Sequence, residues 1–338
     1  MKVVKIDEPY KISLREMDVP AKKPGEAQIR IKRIGLCGTD LRSYRGQNPI
    51  VQYPIIFGHE IGGELMEEAT ISGMKYPAGT VVTVNPYTNC GTCPSCRRGR
   101  AYACQFNETL GNQRDGAAFE YMTIMTEKVY PLPGLSLDDA VCVEPLSVGF
   151  HASRRGEITS GDKVVVMGTG MIGLGAVIGA AARGAEVIAV DLDDDKLETA
   201  RICGAAHVIN TSKLELEAEV AKLTGGEGAD VVIEAIGLPA TYRAAIDIVA
   251  FTGRVVYIGY AKEDVPFTTK YFVAKELDIR GSRNAAPEDF SAVIETLKSG
   301  SVPVEKIITH RYPLQEADAA FKRWAENPGN VIKMILEA

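Results

Sequence analysis

The sequence predicts a two-domain α/β chain in which a doubly wound parallel domain is inserted into a β-rich domain. Three observations carry this. The first 145 residues hold short β-branched runs broken by Gly and Pro, the pattern of a barrel-like all-β unit. From Lys163 the chain alternates strand and helix, the rhythm of a parallel sheet. The last fifty residues return to a mixed pattern and are expected to pack back on the first unit. The boundaries read as 1–147 with 286–338 for the β-rich domain and 148–285 for the inserted one.

In order, the β-rich part offers strands at Ala27–Ile34, Gly63–Met66, Thr80–Val84 and Phe119–Ile124. The inserted part begins with the apolar strand Val164–Met167 and a helix through Arg183. The strand Val187–Asp191 follows, with a helix from Asp194 that stops at Gly204, a suitable residue for the left-handed end of a helix. Further strands read at Val231–Glu234, Arg254–Ile258 and Leu277–Arg280.

At 338 residues the chain is long for one core and comfortable for two. A net charge of −6 argues against a nucleic-acid surface, which needs a basic patch. The N-terminus has no apolar core of a secretion signal, and the most apolar stretch, Leu174–Ala182, is too short to span a bilayer. No membrane role and a cytoplasmic location are therefore expected. Seven cysteines, four of them within fifteen residues, suit a metal in a reducing compartment better than a disulfide framework.

Gly168-Thr-Gly170-Met171-Ile172-Gly173 lies between an apolar strand and an apolar helix, the frame a dinucleotide loop requires. The first glycine permits the turn, the second lets backbone approach a pyrophosphate, and the third packs helix on strand. The helix N-terminus adds amide donors. Asp191 ends the second strand eighteen residues beyond Gly173, where a carboxylate accepts the ribose hydroxyls and repels a 2′-phosphate. No arginine follows among Leu192–Asp195, so NAD is favoured over NADP. Lys196, Ile236 and Gly259 complete the residues expected at this Rossmann-type site.

Cys90-x2-Cys93-x2-Cys96-x7-Cys104 offers four thiolates on one loop, a closed set for structural zinc. An iron–sulfur cluster shares the first two spacings and is the rival reading. A working metal needs an open position. Cys37, in GLCGTD, and His59, in FGHE, are candidate ligands, and Glu144, in VEPL, is a natural further one.

GLCGTD, FGHEIGG, the four-cysteine loop, VEPLSVGFHASRRG and GTGMIG occur in this order across most of the chain. Together they resemble the zinc-dependent medium-chain alcohol dehydrogenases, in particular the sorbitol and threonine dehydrogenase branch. That resemblance implies a GroES-like catalytic domain with the inserted Rossmann domain, and two zinc ions and NAD as cofactors. It implies Cys37, His59 and Glu144 as catalytic zinc ligands, with Glu60 binding or approaching the ion. Cys142, two residues from Glu144, reads as a small core residue. Thr39 falls at the family's proton-relay hydroxyl, though a turn-capping threonine after Gly38 fits the same place. The branch usually has a histidine three residues further on. Arg42 stands there, and a guanidinium does not relay protons; it faces an anion or simply solvent. The branch further implies a homo-oligomer, tetramer or dimer.

The segment Gly281–Phe290, with Arg283 and Asn284, and the segment Thr309–Pro313 resemble bacterial relatives acting on hexonates such as L-gulonate or L-galactonate. A guanidinium at 283 can grip a carboxylate bidentately, or it can pair with Glu144 or Glu60 and tune the metal site. The expected small-molecule substrate is a sugar acid, ahead of a sorbitol-like polyol, with L-threonine third. A non-enzymatic zinc and nucleotide sensor is the alternative from another class; it would have no need of Thr39.

Overall fold

The computed structural model describes residues 1–338. They divide into two compact units, Met1–Glu144 with Val304–Ala338 and Pro145–Pro303. The stretch 286–303, assigned from sequence to the first domain, therefore falls in the second unit. Its helix Pro287–Lys298 is amphipathic and would bury the same face in either place. Bonds from Asp289 to His151 and Arg154 tie it to the second unit.

The first unit is organised by the strand Glu26–Leu36. It pairs antiparallel with Glu60–Leu65, Tyr121–Met125 and Lys333–Glu337. Ile29 and Ile31 point inward at odd positions, Ile34 and Leu36 at even ones, and all four are buried. A one-residue slip would turn such a set outward, and the register shift between Ile31 and Arg33 restores the inward face. With Val81–Val84, Val129–Pro131 and Ile308–Pro313 these strands make a seven-stranded sheet, and two two-stranded sheets, Lys2–Glu8 with Lys11–Glu16 and Ala69–Ile71 with Met74–Tyr76, lie apart from it. Under it, Phe321 stacks on Tyr44 at 5.1 Å and meets Phe57 edge-on at 5.0 Å. Asp138 and Glu337 bind Arg33 and Arg311 in a four-membered ion network at the edge of this unit.

The second unit holds a six-stranded parallel sheet in the order His207–Asn210, Glu186–Asp191, Lys163–Met167, Ala229–Glu234, Val249–Tyr257, Asp278–Gly281. The first strand in sequence, Lys163–Met167, sits inside the sheet, so the strand order reverses between it and Ala229–Glu234. A crevice opens at such a reversal, beyond the carboxyl ends of the strands. His207–Asn210, only four residues long, was not foreseen from sequence. No helix is long and apolar enough to cross a membrane.

One buried joint gives this unit a pH signature. Burial alone would raise the Asp289 carboxyl, but hydrogen bonds from His151 and Arg154 prevail and hold it at about 2. An unfolded aspartate titrates near 3.9. The stabilisation, about 1–2 kcal/mol, is complete above that pH and is lost as pH falls toward 2. Asp289→Asn should remove it: urea unfolding of the variant is weaker than wild type at pH 6, and the gap narrows steadily below pH 4.

Candidate functional site

The glycine loop follows the strand Lys163–Met167, where the strand order reverses. Gly168 takes φ +91°, a conformation open to glycine. Gly170 is the extended residue before the helix Met171–Ala181, so the amides of Met171 and Ile172 open its first turn. A side chain at Gly173 would overlap the Gly168 carbonyl, which accounts for the third glycine.

Asp191 is already engaged. One oxygen accepts from the Thr169 amide (2.8 Å) and hydroxyl (2.9 Å), the other from the amides of Leu192 (2.7 Å) and Asp193 (3.3 Å). The carboxylate thus locks the glycine loop to the neighbouring strand. A ribose hydroxyl would most readily displace the long Asp193 contact. Beside it lies a cavity of about 400 Å³, lined by Asp191, Leu192, Thr211, Ile236, Leu238 and Thr241 among others, with no arginine or lysine. The structure so brings Asp191 and Ile236 to one cavity. Lys196 lies outside that lining; its amide is capped by Asp193 (3.1 Å). Gly259 also lies outside it, packed against Gly237 and the Glu234 carboxylate.

In the first unit the sulfurs of Cys90, Cys93, Cys96 and Cys104 all lie within 4.8 Å of one another. Cys93 is 3.5 Å from Cys96 and 3.8 Å from Cys104. A disulfide needs about 2.05 Å. Zinc–sulfur bonds of about 2.3 Å give a tetrahedron with edges of about 3.8 Å, so the spacing fits one ion. Sulfurs on an iron–sulfur cluster, with several irons between them, would stand further apart. Backbone amides of Cys90, Cys93 and Phe106 donate to these sulfurs. The Ser95 hydroxyl and neighbouring amides bring the Cys93 thiol down to about 5, while burial and the other sulfurs push Cys96 up to about 11. Four thiolates this close need a cation between them.

The second cluster joins Cys37, His59 and Glu60, again with ligand atoms within 4.8 Å. Cys37 precedes the helix Gly38–Tyr44 as its N-cap residue. Asp40, fully buried, accepts from the amides of Cys37 (2.8 Å) and Gly58 (3.4 Å), and so aligns both ligand loops. It stands 3.9 Å from Nδ1 of His59, a buried nitrogen without a hydrogen-bond partner. Burial would lower the His59 pKa, yet Asp40 and Cys37 raise it well above the ordinary value. Such a pocket attracts a cation, and sulfur, nitrogen and oxygen donors are the set zinc takes. Glu60 meets Lys333 through both oxygens (2.7 and 2.5 Å), and Lys333 also donates to the Leu36 carbonyl (3.2 Å). A side chain at Gly35 would overlap the Glu60 carboxylate.

Glu144 is not part of that three-residue cluster. It is buried and accepts from the Tyr87 hydroxyl. Burial, opposed by His59 and reinforced by Glu60, pushes its carboxyl up to about 7. Cys142 is fully buried with its thiol pKa pushed up, as for a core residue. The Thr39 hydroxyl is buried without a partner. Arg42 is half-buried at the last turn of its helix. In the second unit, Arg283 is exposed and Asn284 takes φ +54° on the segment after the last strand.

Residues 23–134 match the alcohol dehydrogenase GroES-like domain and residues 172–299 the zinc-binding dehydrogenase domain. An L-galactonate-5-dehydrogenase of Escherichia coli K12 is 32% identical, covering 99% of this chain and 98% of its own. A D-xylulose reductase of Saccharomyces cerevisiae is 34% identical over 98% and 96%. A solved alcohol dehydrogenase of Escherichia coli CFT073, complexed with NADH, superposes with a TM-score of 0.90 at 30% identity, covering 100% of this chain and 99% of that one. The chain belongs to the zinc-type medium-chain alcohol dehydrogenase family. It is an oxidoreductase of that family, whose cofactors are zinc and NAD.

Four residues of this dehydrogenase were not singled out from its sequence. Asp40 lies inside GLCGTD, but nothing local marks its carboxylate as the brace of two loops. Lys333 is 273 residues from Glu60; its one signal is a lysine within the apolar run Val331–Leu336. Tyr87 has no motif. Glu234 ends its strand and accepts from the amides of Ile236 (3.0 Å) and Gly237 (2.8 Å) and the Thr241 hydroxyl (2.7 Å), ordering the loop beside the cavity. Arg311, part of the hexonate-like resemblance, is held in the ion network with Asp138 and Glu337.

Cys104→Ser should cost the purified protein one zinc equivalent by metal analysis and lower its Tm, while the Cys37 cluster keeps its ion. Lys333→Met leaves Glu60 buried and unpaired, at about 3–5 kcal/mol by denaturant unfolding of chelator-treated protein. Added zinc should recover part of that loss. Equal losses with and without zinc would place Glu60 away from the metal.

Proposed function

We propose that this dehydrogenase oxidises a secondary alcohol of a hexonate, such as L-gulonate or L-galactonate, to the keto acid with NAD. The hydroxyl loses a proton, the carbon loses a hydride, and NAD becomes NADH. The observation that carries the chemistry is the cluster of Cys37, His59 and Glu60, in a chain whose Thr39 hydroxyl is buried and unpartnered.

Zinc, when bound, supplies the positive charge that makes a hydroxyl acidic near neutral pH, and NAD accepts the hydride. The chain does the rest. Cys37 and His59 would hold the metal, with the Glu60 carboxylate within 4.8 Å of both donors. Glu144 stands by as a further ligand, oriented by Tyr87. Thr39, whose hydroxyl is unengaged, would relay the substrate proton, its oxygen accepting it while its own proton passes to water. Arg42 does not take that proton onward, because a guanidinium keeps its own. Asp191, with no cationic residue lining the adjoining cavity, supports NAD over NADP. We assign dinucleotide binding to Pro145–Pro303 and the two zinc sites to the other unit.

Arg283 supports the sugar-acid reading, since an exposed guanidinium suits a carboxylate and a neutral polyol has no need of one. The similarity to an L-galactonate-5-dehydrogenase agrees with it. The similarity to a D-xylulose reductase favours a polyol as the second reading.

NADH formation by zinc-loaded protein across hexonates, hexitols, pentitols and L-threonine tests this. Hexonates should be preferred. Arg283→Ala should lower kcat/KM for the hexonate by roughly 10- to 100-fold, a loss of about 1.4–2.8 kcal/mol, and leave a hexitol unchanged. Thr39→Val should lower kcat by on the order of 10²-fold or more. Preference for hexitols, with Arg283→Ala inert, leaves the polyol reading. Tight zinc and NADH binding without turnover of any alcohol would indicate a sensor.

A further inference from the structure

The run His151-Ala-Ser-Arg154-Arg155 follows the EPL motif but takes no part in the chemistry above. It closes the helix Leu137–Arg155, and three of its side chains reach the segment after the last strand of the parallel sheet. His151 Nδ1 donates to Asp289 Oδ2 (2.7 Å). Arg154 grips the same carboxylate through Nε to Oδ1 (2.8 Å) and Nη2 to Oδ2 (3.0 Å). Asp289 in turn accepts from the Ala286 amide (2.9 Å), and its own amide donates to the Ala286 carbonyl (2.9 Å). The C-terminal end of the segment 281–286 is therefore fixed by a fully engaged, buried carboxylate.

The other end is fixed by the next residue of the same helix. Arg155 Nε donates to the Gly281 carbonyl (3.2 Å), and Arg280 Nη1 donates back to the Arg155 carbonyl (2.8 Å). The Ser282 amide donates to the Tyr257 carbonyl (2.9 Å). Between the two pins lie Arg283 and Asn284. Asn284 takes φ +54°, the left-handed conformation that asparagine enters more readily than most side chains. Consecutive arginines at the end of one helix thus hold both ends of a six-residue span.

A buried ionic joint is a weak source of stability compared with an apolar one of the same volume; what it supplies is one defined geometry. We propose that His151, Arg154, Arg155 and Asp289 are positioning residues that preset the segment Gly281–Ala286, so that Arg283 and Asn284 present a rigid edge to the carboxylate and adjoining hydroxyl of an acidic polyol. The role in selectivity rests on the substrate reading above; the ordering of the segment does not. Pre-ordering of this kind lowers the entropy lost when substrate is gripped, and so acts on KM more than on kcat.

The test uses zinc-loaded, full-length enzyme and the variants Asp289→Asn, Arg155→Met and Arg155→Lys. Amide hydrogen exchange of residues 282–286 reads the segment directly. Steady-state rates with a hexonate and a neutral hexitol read its consequence. Asp289→Asn and Arg155→Met should each speed exchange at least tenfold and raise KM for the hexonate about tenfold. Their kcat, and KM for the hexitol, should stay within about twofold of wild type. Arg155→Lys, which keeps a donor, should recover much of both effects. A merely structural joint would lower Tm and leave the ratio of the two KM values unchanged. That result, or unaltered exchange in both variants, overturns the proposal. Wild-type enzyme that prefers the hexitol refutes the substrate reading before any variant is compared. The positioning role then falls too unless exchange and KM for the preferred alcohol still rise together.

Discussion

The first unit is organised around buried negative charge that has to be balanced. Asp40, Glu60 and Glu144 are all buried near a thiol and an imidazole. Isolated ions in such surroundings are costly unless paired. Part of the balance is internal, from Lys333, which the final strand Lys333–Glu337 delivers to both oxygens of Glu60. The rest falls to His59, whose pKa is driven upward, and to whatever cation sits among these donors. This explains why the chain end must return to the first unit. Without that strand, Glu60 would lose its lysine partner and the hub strand Glu26–Leu36 would lose a neighbour.

The two clusters of candidate metal ligands are suited to different tasks. The four sulfurs on the Cys90–Cys104 loop come from residues close in sequence, are spaced for a single tetrahedral ion, and leave no donor position for a substrate. The Cys37, His59 and Glu60 donors come from two separate loops that Asp40 holds in register. One of its donors is already shared with Lys333. A closed cage stabilises its lobe; a partly committed donor set leaves room for an alcohol oxygen.

In the second unit the equivalent organising feature is the reversal of strand order beside Lys163–Met167. Two carboxylates stand at strand ends on either side of that strand: Asp191 fastens the glycine loop through Thr169, and Glu234 orders the loop that carries Ile236. Asp191 is engaged through both oxygens, whereas Glu234 uses one oxygen and leaves the other buried without a partner. Their work is to shape the crevice before any cofactor arrives, the same use of buried polar groups that the Asp289 joint shows at the last strand.

What the sequence determined by itself was everything carried by local spacing. The glycine loop, Asp191 and the four cysteines need only a few neighbouring residues to have their chemistry, so their patterns were legible. The strands and helices of the parallel sheet were readable for the same reason, apart from His207–Asn210, whose run of a histidine, two apolar residues and an asparagine has little apolar character to mark it. What only the tertiary structure decided was which distant groups meet. Glu60 lies within 4.8 Å of the Cys37 and His59 donors. Lys333, Asp40 and Tyr87 acquire their roles from contacts with residues in other elements. The segment 286–303 falls in the second unit, to which Asp289 binds it through His151 and Arg154. Burial turns these charges and hydroxyls from ordinary surface groups into obligatory partners, and burial is a property of the packed chain that no short window of sequence contains.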